Sequence, residues 1–229
     1  LINGGPGSAV HKTTDGGATW NKVKGGLPGG DLGRIGLASA PSAPNMIYAI
    51  VEASDKDKGV YRSTDFGESW SKRSGHMTNS PQYYNELYVD PKNPDRVYSV
   101  DTFTHVSEDG GASWNRISFK NRHVDDHALW IDPNNTDHLY IGGDGGVYES
   151  WDRGELWRHV RNLPVTQFYR ATPDNDSPFY NVCAGTQDIF TLCGPTRNNK
   201  TVGITNGEWF VAQSGDGFKA QIDPTDANI

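Results

Sequence analysis

The segment RHVDDHALW, residues 122–130, concentrates side chains that bind metal ions and transfer protons. In an extended chain, successive side chains point to opposite sides, so His123, Asp125 and His127 are expected to share one side. Two imidazoles and a carboxylate suit Zn²⁺ or another divalent ion. The alternatives are polar contacts with a ligand, or hydrogen bonds that hold the loop in place.

Four carboxylates are candidates for acid/base catalysis: Glu86, Asp125, Asp144 and Asp188. A glycoside hydrolase needs two carboxyl groups about 5 to 9.5 Å apart, flanking the scissile bond. The alternative for Asp144 and Asp188 is a structural role, in a Gly-rich turn and a Gln-Asp turn respectively. The sequence therefore nominates candidates without selecting a pair.

A further set of polar and aromatic residues is predicted to contact a ligand. Its members are Arg34, Tyr83, Tyr84, His123, His127, Gln167, Gln187 and Asp216. The two adjacent tyrosines are expected either to provide stacking surfaces for sugar rings or to pack between sheets.

An internal repeat positions these residues. Four segments share the pattern Ser/Thr-x-Asp-x-Gly-x-x-Trp and recur about every 45 residues; we call them the aspartate boxes. Their aspartates and tryptophans are Asp15 and Trp20, Asp65 and Trp70, Asp109 and Trp114, and Asp152 and Trp157. The aspartate is expected to cap a turn and the tryptophan to pack between neighbouring sheets, which favours a structural role over a catalytic one.

The repeat predicts an all-β fold, a β-propeller of four-stranded antiparallel blades with about five repeats visible. A turn followed by an aromatic strand keeps the same period. The predicted units of this single propeller segment are approximately 1–30 (partial), 31–75, 76–120, 121–163, 164–212 and 213–229 (partial). In such a blade, the connections into the first strand and between the second and third strands share one end of the sheet. The candidate residues are expected to meet at that end near the central channel, and the aspartate boxes lie at the opposite end.

Composition narrows the classes of partner. A net charge of −7 with no run of basic residues argues against nucleic-acid binding. No stretch approaches the roughly 20 apolar residues that span a bilayer. The chain begins at Leu1, so we expect it to be part of a longer protein.

The two cysteines, Cys183 and Cys193, are expected on the two strands of a hairpin. That position allows a disulfide, and the alternative is two free buried thiols. A disulfide would indicate an oxidising compartment.

The aspartate boxes, together with GGLPGGDLGRIGLA, HVDDHALWIDPNNTDHLYIGGDGGVYESWDRG and GITNGEWFVAQSGDGF, resemble bacterial aspartate-box repeat proteins of the sortilin-like or glycosyl-hydrolase-like kind. The resemblance covers essentially the whole chain. It implies a secreted β-propeller, typically much longer than this chain, located extracellularly, at the cell surface or in the periplasm. Sialidases carry similar boxes, but their arginine triad has no counterpart here.

Three functions follow as hypotheses. The favoured one is an exported recognition module that binds a glycan or peptide at the channel face, without a required cofactor. The second is a glycoside hydrolase, or a hydrolase dependent on a divalent metal ion, that uses the carboxylates and His123 and His127. The third is a structural scaffold in a cell-surface assembly.

Overall fold

The structure, a computed structural model, describes residues 4–163 and 165–226. A two-stranded sheet of β1 (His11–Lys12) and β2 (Asn21–Lys22) comes first, and four four-stranded sheets, here called sheets I to IV, follow along the chain. Sheet I consists of β3 (Ile35–Ala40), β4 (Ala43–Val51), β5 (Gly59–Ser63) and β6 (Ser71–Ser74). Sheet II consists of β7 (Glu86–Val89), β8 (Val97–Val100), β9 (His105–Ser107) and β10 (Asn115–Arg116). Sheet III consists of β11 (Asp126–Ile131), β12 (Leu139–Gly143), β13 (Gly146–Ser150) and β14 (Arg158–His159). Sheet IV consists of β15 (Arg170–Pro173), β16 (Asn181–Gly185), β17 (Thr191–Pro195) and β18 (Phe210–Gln213), with one short 3₁₀ turn, Asn206–Glu208, before β18.

Each sheet is an antiparallel meander in which the strands neighbour one another in chain order. The predicted all-β fold of four-stranded antiparallel blades is therefore confirmed. The outer limits of the predicted units at residues 1, 164 and 229 lie outside the described residues. In the described ranges, no helix has the length and apolar character that a membrane span requires.

The chain divides into two compact units. Residues 1–160 hold sheets I to III, and residues 161–229 hold sheet IV. The two units are described separately below.

The core of the first unit lies between successive sheets. The second half of β4 is buried on both faces: Tyr48 and Ile50 pack with residues of sheet II, whereas Val51 packs on the other side with Leu32 and Trp70. Because side chains alternate along a strand, one central strand supplies apolar groups to two interfaces. This explains why residues 46–51 form a continuous apolar run and not an alternating one.

The first aspartate box closes the turn between β1 and β2, and the other three close the turn between the third and fourth strand of sheets I to III. In the second box the Asp65 carboxylate accepts hydrogen bonds from the Ser69 backbone N–H at 2.9 Å and from the Ser69 hydroxyl at 2.5 Å, and the Ser63 hydroxyl accepts one from the Gly67 N–H at 2.8 Å. Hydrogen bonds from Ser69, the main cause, hold the pKa of Asp65 at about 2. The turn also needs two successive residues with positive φ, Phe66 and Gly67 in this box, and glycine meets that need at low cost.

In sheets I to III, the box tryptophan directly precedes the fourth strand. Trp114 and Trp157 also bond to residues of the preceding sheet or of the connection that follows it. The Trp157 indole N–H donates to the Ser118 carbonyl at 2.9 Å, and that of Trp114 donates to the Ser74 hydroxyl at 3.1 Å. Trp20 of the first box is 60% exposed, since no preceding sheet lies among the described residues to cover it. The tryptophans thus connect successive sheets.

Candidate functional site

The predicted site residues of the first unit lie at one end of sheets I to III. At this end, which we call the entry end, the first strand of each sheet begins and the second strand ends. Arg34 precedes β3, Glu86 begins β7, Asp125 precedes β11, and Asp144 follows β12. The antiparallel order of the strands places all four connections at the same end.

An ion pair joins the entry ends of sheets I and II. Arg34 Nη2 donates to Glu86 Oε1 at 2.9 Å, and Arg34 Nη1 donates to the Tyr83 carbonyl at 3.0 Å. Both charged side chains are roughly two-fifths exposed, so the pair contributes little to stability and stays accessible to a ligand.

His127 is held by two aromatic rings from one connection and a carboxylate from another. The Tyr84 ring stacks on its imidazole, with centroids 5.3 Å apart and planes inclined by 21°, and the Tyr83 ring meets it edge-on at 5.4 Å. Its Nε2 lies 3.1 Å from Asp144 Oδ1. The imidazole is about one-third exposed, so it combines a fixed orientation with access to solvent.

The two adjacent tyrosines have different environments. Tyr84 is buried and donates its hydroxyl hydrogen to Asp125 Oδ1 at 3.0 Å. Burial raises the pKa of Tyr84 to about 12, so this hydroxyl remains a hydrogen-bond donor at neutral pH. Tyr83 is 56% exposed and leaves part of its ring open to solvent beside His127.

The predicted alternation across His123, Asp125 and His127 is wrong. Asp125 has a φ of 63°, in the left-handed region, and β11 begins only at Asp126. His123 lies outside the strand: its Nδ1 is 2.7 Å from the Val124 carbonyl, and its backbone N–H donates to the Tyr148 hydroxyl at 3.1 Å. Among the described residues, these three side chains do not gather their ligand atoms around one position.

Sequence reasoning missed the buried ion pair that anchors residues 117–126, the connection between β10 and β11 with the first residue of β11, which we call the site loop. Arg122 Nη1 donates to Asp126 Oδ1 at 2.5 Å, and the Thr104 hydroxyl donates to Asp126 Oδ2 at 2.7 Å. Both charged side chains are almost fully buried. Burial raises the pKa of Asp126, although hydrogen bonding to Arg122 acts in the opposite direction. Of the two adjacent aspartates, Asp126 holds the loop and Asp125 is left at the entry end.

Two further buried polar residues support Arg34. The Glu52 carboxylate accepts the Arg34 backbone N–H at 3.0 Å, and it follows β4 as Asp144 follows β12. The Asn85 side-chain amide donates to the Arg34 carbonyl at 2.7 Å. The repeat period was the signal that would have found Glu52, because it aligns Glu52 with Asp144.

The remaining candidates lie in the second unit. The Asp188 backbone N–H donates to Asp216 Oδ1 at 3.0 Å, and the Tyr169 hydroxyl donates to the Gln187 side chain. Gln167 is exposed before β15. These residues border the connections that enter β15, join β16 to β17 and follow β18.

Cys183 and Cys193 form a disulfide in this unit. They are directly paired on β16 and β17, with Cα atoms 4.1 Å apart. The bond links the two central strands of sheet IV.

Comparison with known proteins supports the fold. An ancestral GH74 enzyme is 16% identical, with a TM-score of 0.50 over 96% of this chain and 31% of its own. The fold is that of a β-propeller. The GH74 xyloglucanase from Xanthomonas campestris is 18% identical, with a TM-score of 0.43 over 80% of this chain and 32% of its own. YCF48 bound to D1 peptide is 14% identical, with a TM-score of 0.40 over 80% of this chain and 57% of its own.

The chain spans about a third of the length of the GH74 structures it matches. No family model and no curated protein matches it. At these identities the likeness concerns the fold, and the function has to be argued from the site.

Proposed function

We propose that the chain is part of an exported recognition module that binds a glycan at the entry end of sheets I to III. The exposed ring of Tyr83, which meets His127 edge-on and whose backbone carbonyl accepts a hydrogen bond from Arg34, is the observation that carries this proposal. Sugar rings stack their apolar faces on aromatic rings, while charged side chains bond to the hydroxyl groups.

The polar groups around Tyr83 suit such a ligand. Glu86 and Asp144 bring acceptor oxygens from neighbouring sheets, and Arg34 brings donor hydrogens. Tyr84 and the ion pair of Arg122 with Asp126 fix the loops beneath them, so the binding groups are ordered before the ligand arrives. The proposed binding mode requires no cofactor.

The proposal also includes the location of the protein and the family to which it belongs. The disulfide in sheet IV supports an oxidising location, which would be extracellular, at the cell surface or in the periplasm. The four aspartate boxes support membership of the aspartate-box repeat proteins of the sortilin-like or glycosyl-hydrolase-like kind.

Binding to an array of neutral oligosaccharides tests the proposal. Tyr83→Ala removes the stacking surface and is expected to weaken binding about tenfold or more, whereas Tyr83→Phe keeps the ring and most of the affinity. Phe66→Asn is the matched control, because Phe66 is an equally exposed aromatic in an aspartate box, at the other end of sheet I, and asparagine tolerates its positive φ.

Two results would contradict the glycan proposal. One is equal binding by Tyr83→Ala and the unchanged protein. The other is binding of peptides, such as YCF48 shows toward the D1 peptide, with no oligosaccharide bound.

Glycoside hydrolysis is the second candidate function. The observation in its favour is that Glu86, Asp125 and Asp144 share the entry end with an imidazole in contact with one of them. Release of reducing ends from the same oligosaccharides would support it, provided that the Asp144→Asn and Glu86→Gln variants fold but no longer release them.

A further inference from the structure

Two half-buried histidines meet at the interface between sheets I and II, where β6 ends and β9 begins. His76 follows β6, and His105 is the first residue of β9. Their ring centroids are 5.2 Å apart, and the His76 ring stacks on Trp114 at 4.2 Å with planes inclined by 13°. The Trp114 indole N–H in turn donates to the Ser74 hydroxyl, which also accepts the His76 backbone N–H at 3.4 Å.

The polar atoms of this histidine pair are incompletely satisfied. His76 Nε2 and His105 Nδ1 are buried and have no hydrogen-bond partner among the residues that the structure describes. A buried ring nitrogen without an acceptor is tolerated as neutral imidazole far better than as imidazolium, because the charged form loses its hydration without compensation. At neutral pH the two rings therefore pack as nearly apolar groups.

The groups nearby relieve this cost only in part: burial lowers the pKa of His105, while Asp101 and a hydrogen bond to the Phe103 backbone act in the opposite direction. Asp101 is the carboxylate that faces His105, but its oxygens already accept the backbone N–H groups of Asn79 at 2.9 Å and Thr102 at 2.7 Å. Arg116 on β10 disfavours a positive charge on His105. Burial is the main cause that holds the pKa of His76 at about 4, and the charge of His105 lowers it further.

The turn between β8 and β9, which contains Asp101 and directly precedes His105, also supports the site loop. Between β8 and β9, the Thr102 carbonyl accepts the Asp125 N–H at 3.0 Å, and the Asp101 carbonyl accepts the Asp126 N–H at 3.1 Å. The Thr104 hydroxyl, adjacent to His105, donates to the Asp126 carboxylate. The segment 101–105 thus includes His105 of the histidine pair, and three of its other residues bond to Asp125 and Asp126 of the site loop.

We propose that His76 and His105 form an acid-sensitive latch that closes the interface of sheets I and II at neutral pH and loosens it, together with the loop at Asp125 and Asp126, on acidification. A proton taken up from solvent by either ring places a charge on a buried nitrogen. The structure must then open locally to hydrate that nitrogen. The inference concerns the stability of this interface and does not depend on what binds at the entry end.

The sign of the pH dependence follows from proton uptake. The unfolded chain binds a proton at each histidine near pH 6.5, whereas the folded chain does so only near pH 4 at His76. The unfolded state therefore binds more protons between these values, and stability falls as the pH is lowered through that window. Above about pH 6.5 the pair makes no pH-dependent contribution.

Urea unfolding across the window from about pH 7 to about pH 5 tests the latch. On acidification, the urea concentration at the midpoint of unfolding is expected to fall for the unchanged protein. It should fall clearly less for His76→Phe, which keeps a ring on Trp114 but cannot titrate. His11→Phe, the same change at an exposed histidine on β1, is the matched control and should follow the unchanged protein. Parallel pH profiles for His76→Phe and the unchanged protein would overturn the proposal.

Two measurements on the unchanged protein cover the case in which His76→Phe does not fold. The His76 Cε1 proton resonance should titrate below about pH 5, and titration near pH 6.5 would overturn the latch. Amide exchange at Asp125 and Asp126, corrected for its intrinsic pH dependence, should accelerate about tenfold or more between about pH 7 and about pH 5. Unchanged protection there would overturn the link to the site loop.

Discussion

Neighbouring residues of identical type have opposite roles in the site loop. The Asp126 carboxylate is buried against Arg122, whereas Asp125, one position earlier, turns away with a left-handed φ and accepts the Tyr84 hydroxyl. The same contrast separates buried Tyr84 from exposed Tyr83. At the residue scale, backbone conformation and burial decide function more than residue type does.

Breaking the buried ion pair is expected to be costly. Arg122→Met leaves the Asp126 carboxylate without its cation, and we expect a loss of about 3 to 5 kcal/mol in the free energy of unfolding, measured with urea. The double change Arg122→Met, Asp126→Leu removes both charges and should recover much of that loss. As a control, Arg153→Met breaks a half-exposed pair with Asp137 and should cost about 1 kcal/mol or less. Equal losses in the two single variants would contradict this interpretation.

At the scale of elements, the aspartate boxes act as joints between sheets. The box turn places its tryptophan just before the fourth strand, from where the ring reaches the preceding sheet. The segment ITNGEW, residues 204–209, is a degenerate fifth box that keeps this position: the 3₁₀ turn Asn206–Glu208 directly precedes Trp209, and β18 begins at Phe210. The box therefore fixes the place of the tryptophan just before the fourth strand, and its aspartate closes the turn.

The position of each tryptophan predicts its contribution to stability. Trp157 is buried against Ile117, and the Arg122 guanidinium lies 5.1 Å from the centre of its ring. Trp157→Ala is expected to lower the free energy of unfolding by about 3 to 5 kcal/mol. Trp20→Ala changes a largely exposed ring in the first box and should cost less than about 1 kcal/mol, with both measured by urea unfolding. Similar losses at the two sites would contradict the role assigned to the tryptophans as joints.

At the scale of the whole molecule, the two compact units differ in how they are stabilised. Residues 1–160 bury three apolar clusters at the interfaces of successive sheets. Residues 161–229 hold one four-stranded sheet, and a disulfide links its two central strands.

Removing the disulfide is therefore expected to affect one unit selectively. Cys183→Ala, Cys193→Ala should destabilise the second unit by about 2 to 3 kcal/mol, since a short closed loop restrains the unfolded chain by that amount. Hydrogen exchange, read separately on peptides from each unit, measures the effect. Strands of sheet III serve as the internal control and should keep their protection. An equal loss of protection in both units would contradict the separation.

The sequence by itself determined the period of the repeat, the four-strand pattern, the box turns and the ends of strands at which the site residues lie. These features are local, because alternation, glycine turns and the spacing of tryptophans act over a few residues. Only the tertiary structure decided that Asp126 is buried while Asp125 remains at the site, that His127 contacts Tyr84 and Asp144, and that His76 meets His105. Each of these contacts joins residues distant in the chain or depends on one backbone angle, and hydrophobic periodicity does not encode either. The predicted alternation of His123, Asp125 and His127 failed for this reason, since a single left-handed residue at Asp125 interrupts the extended backbone that it required.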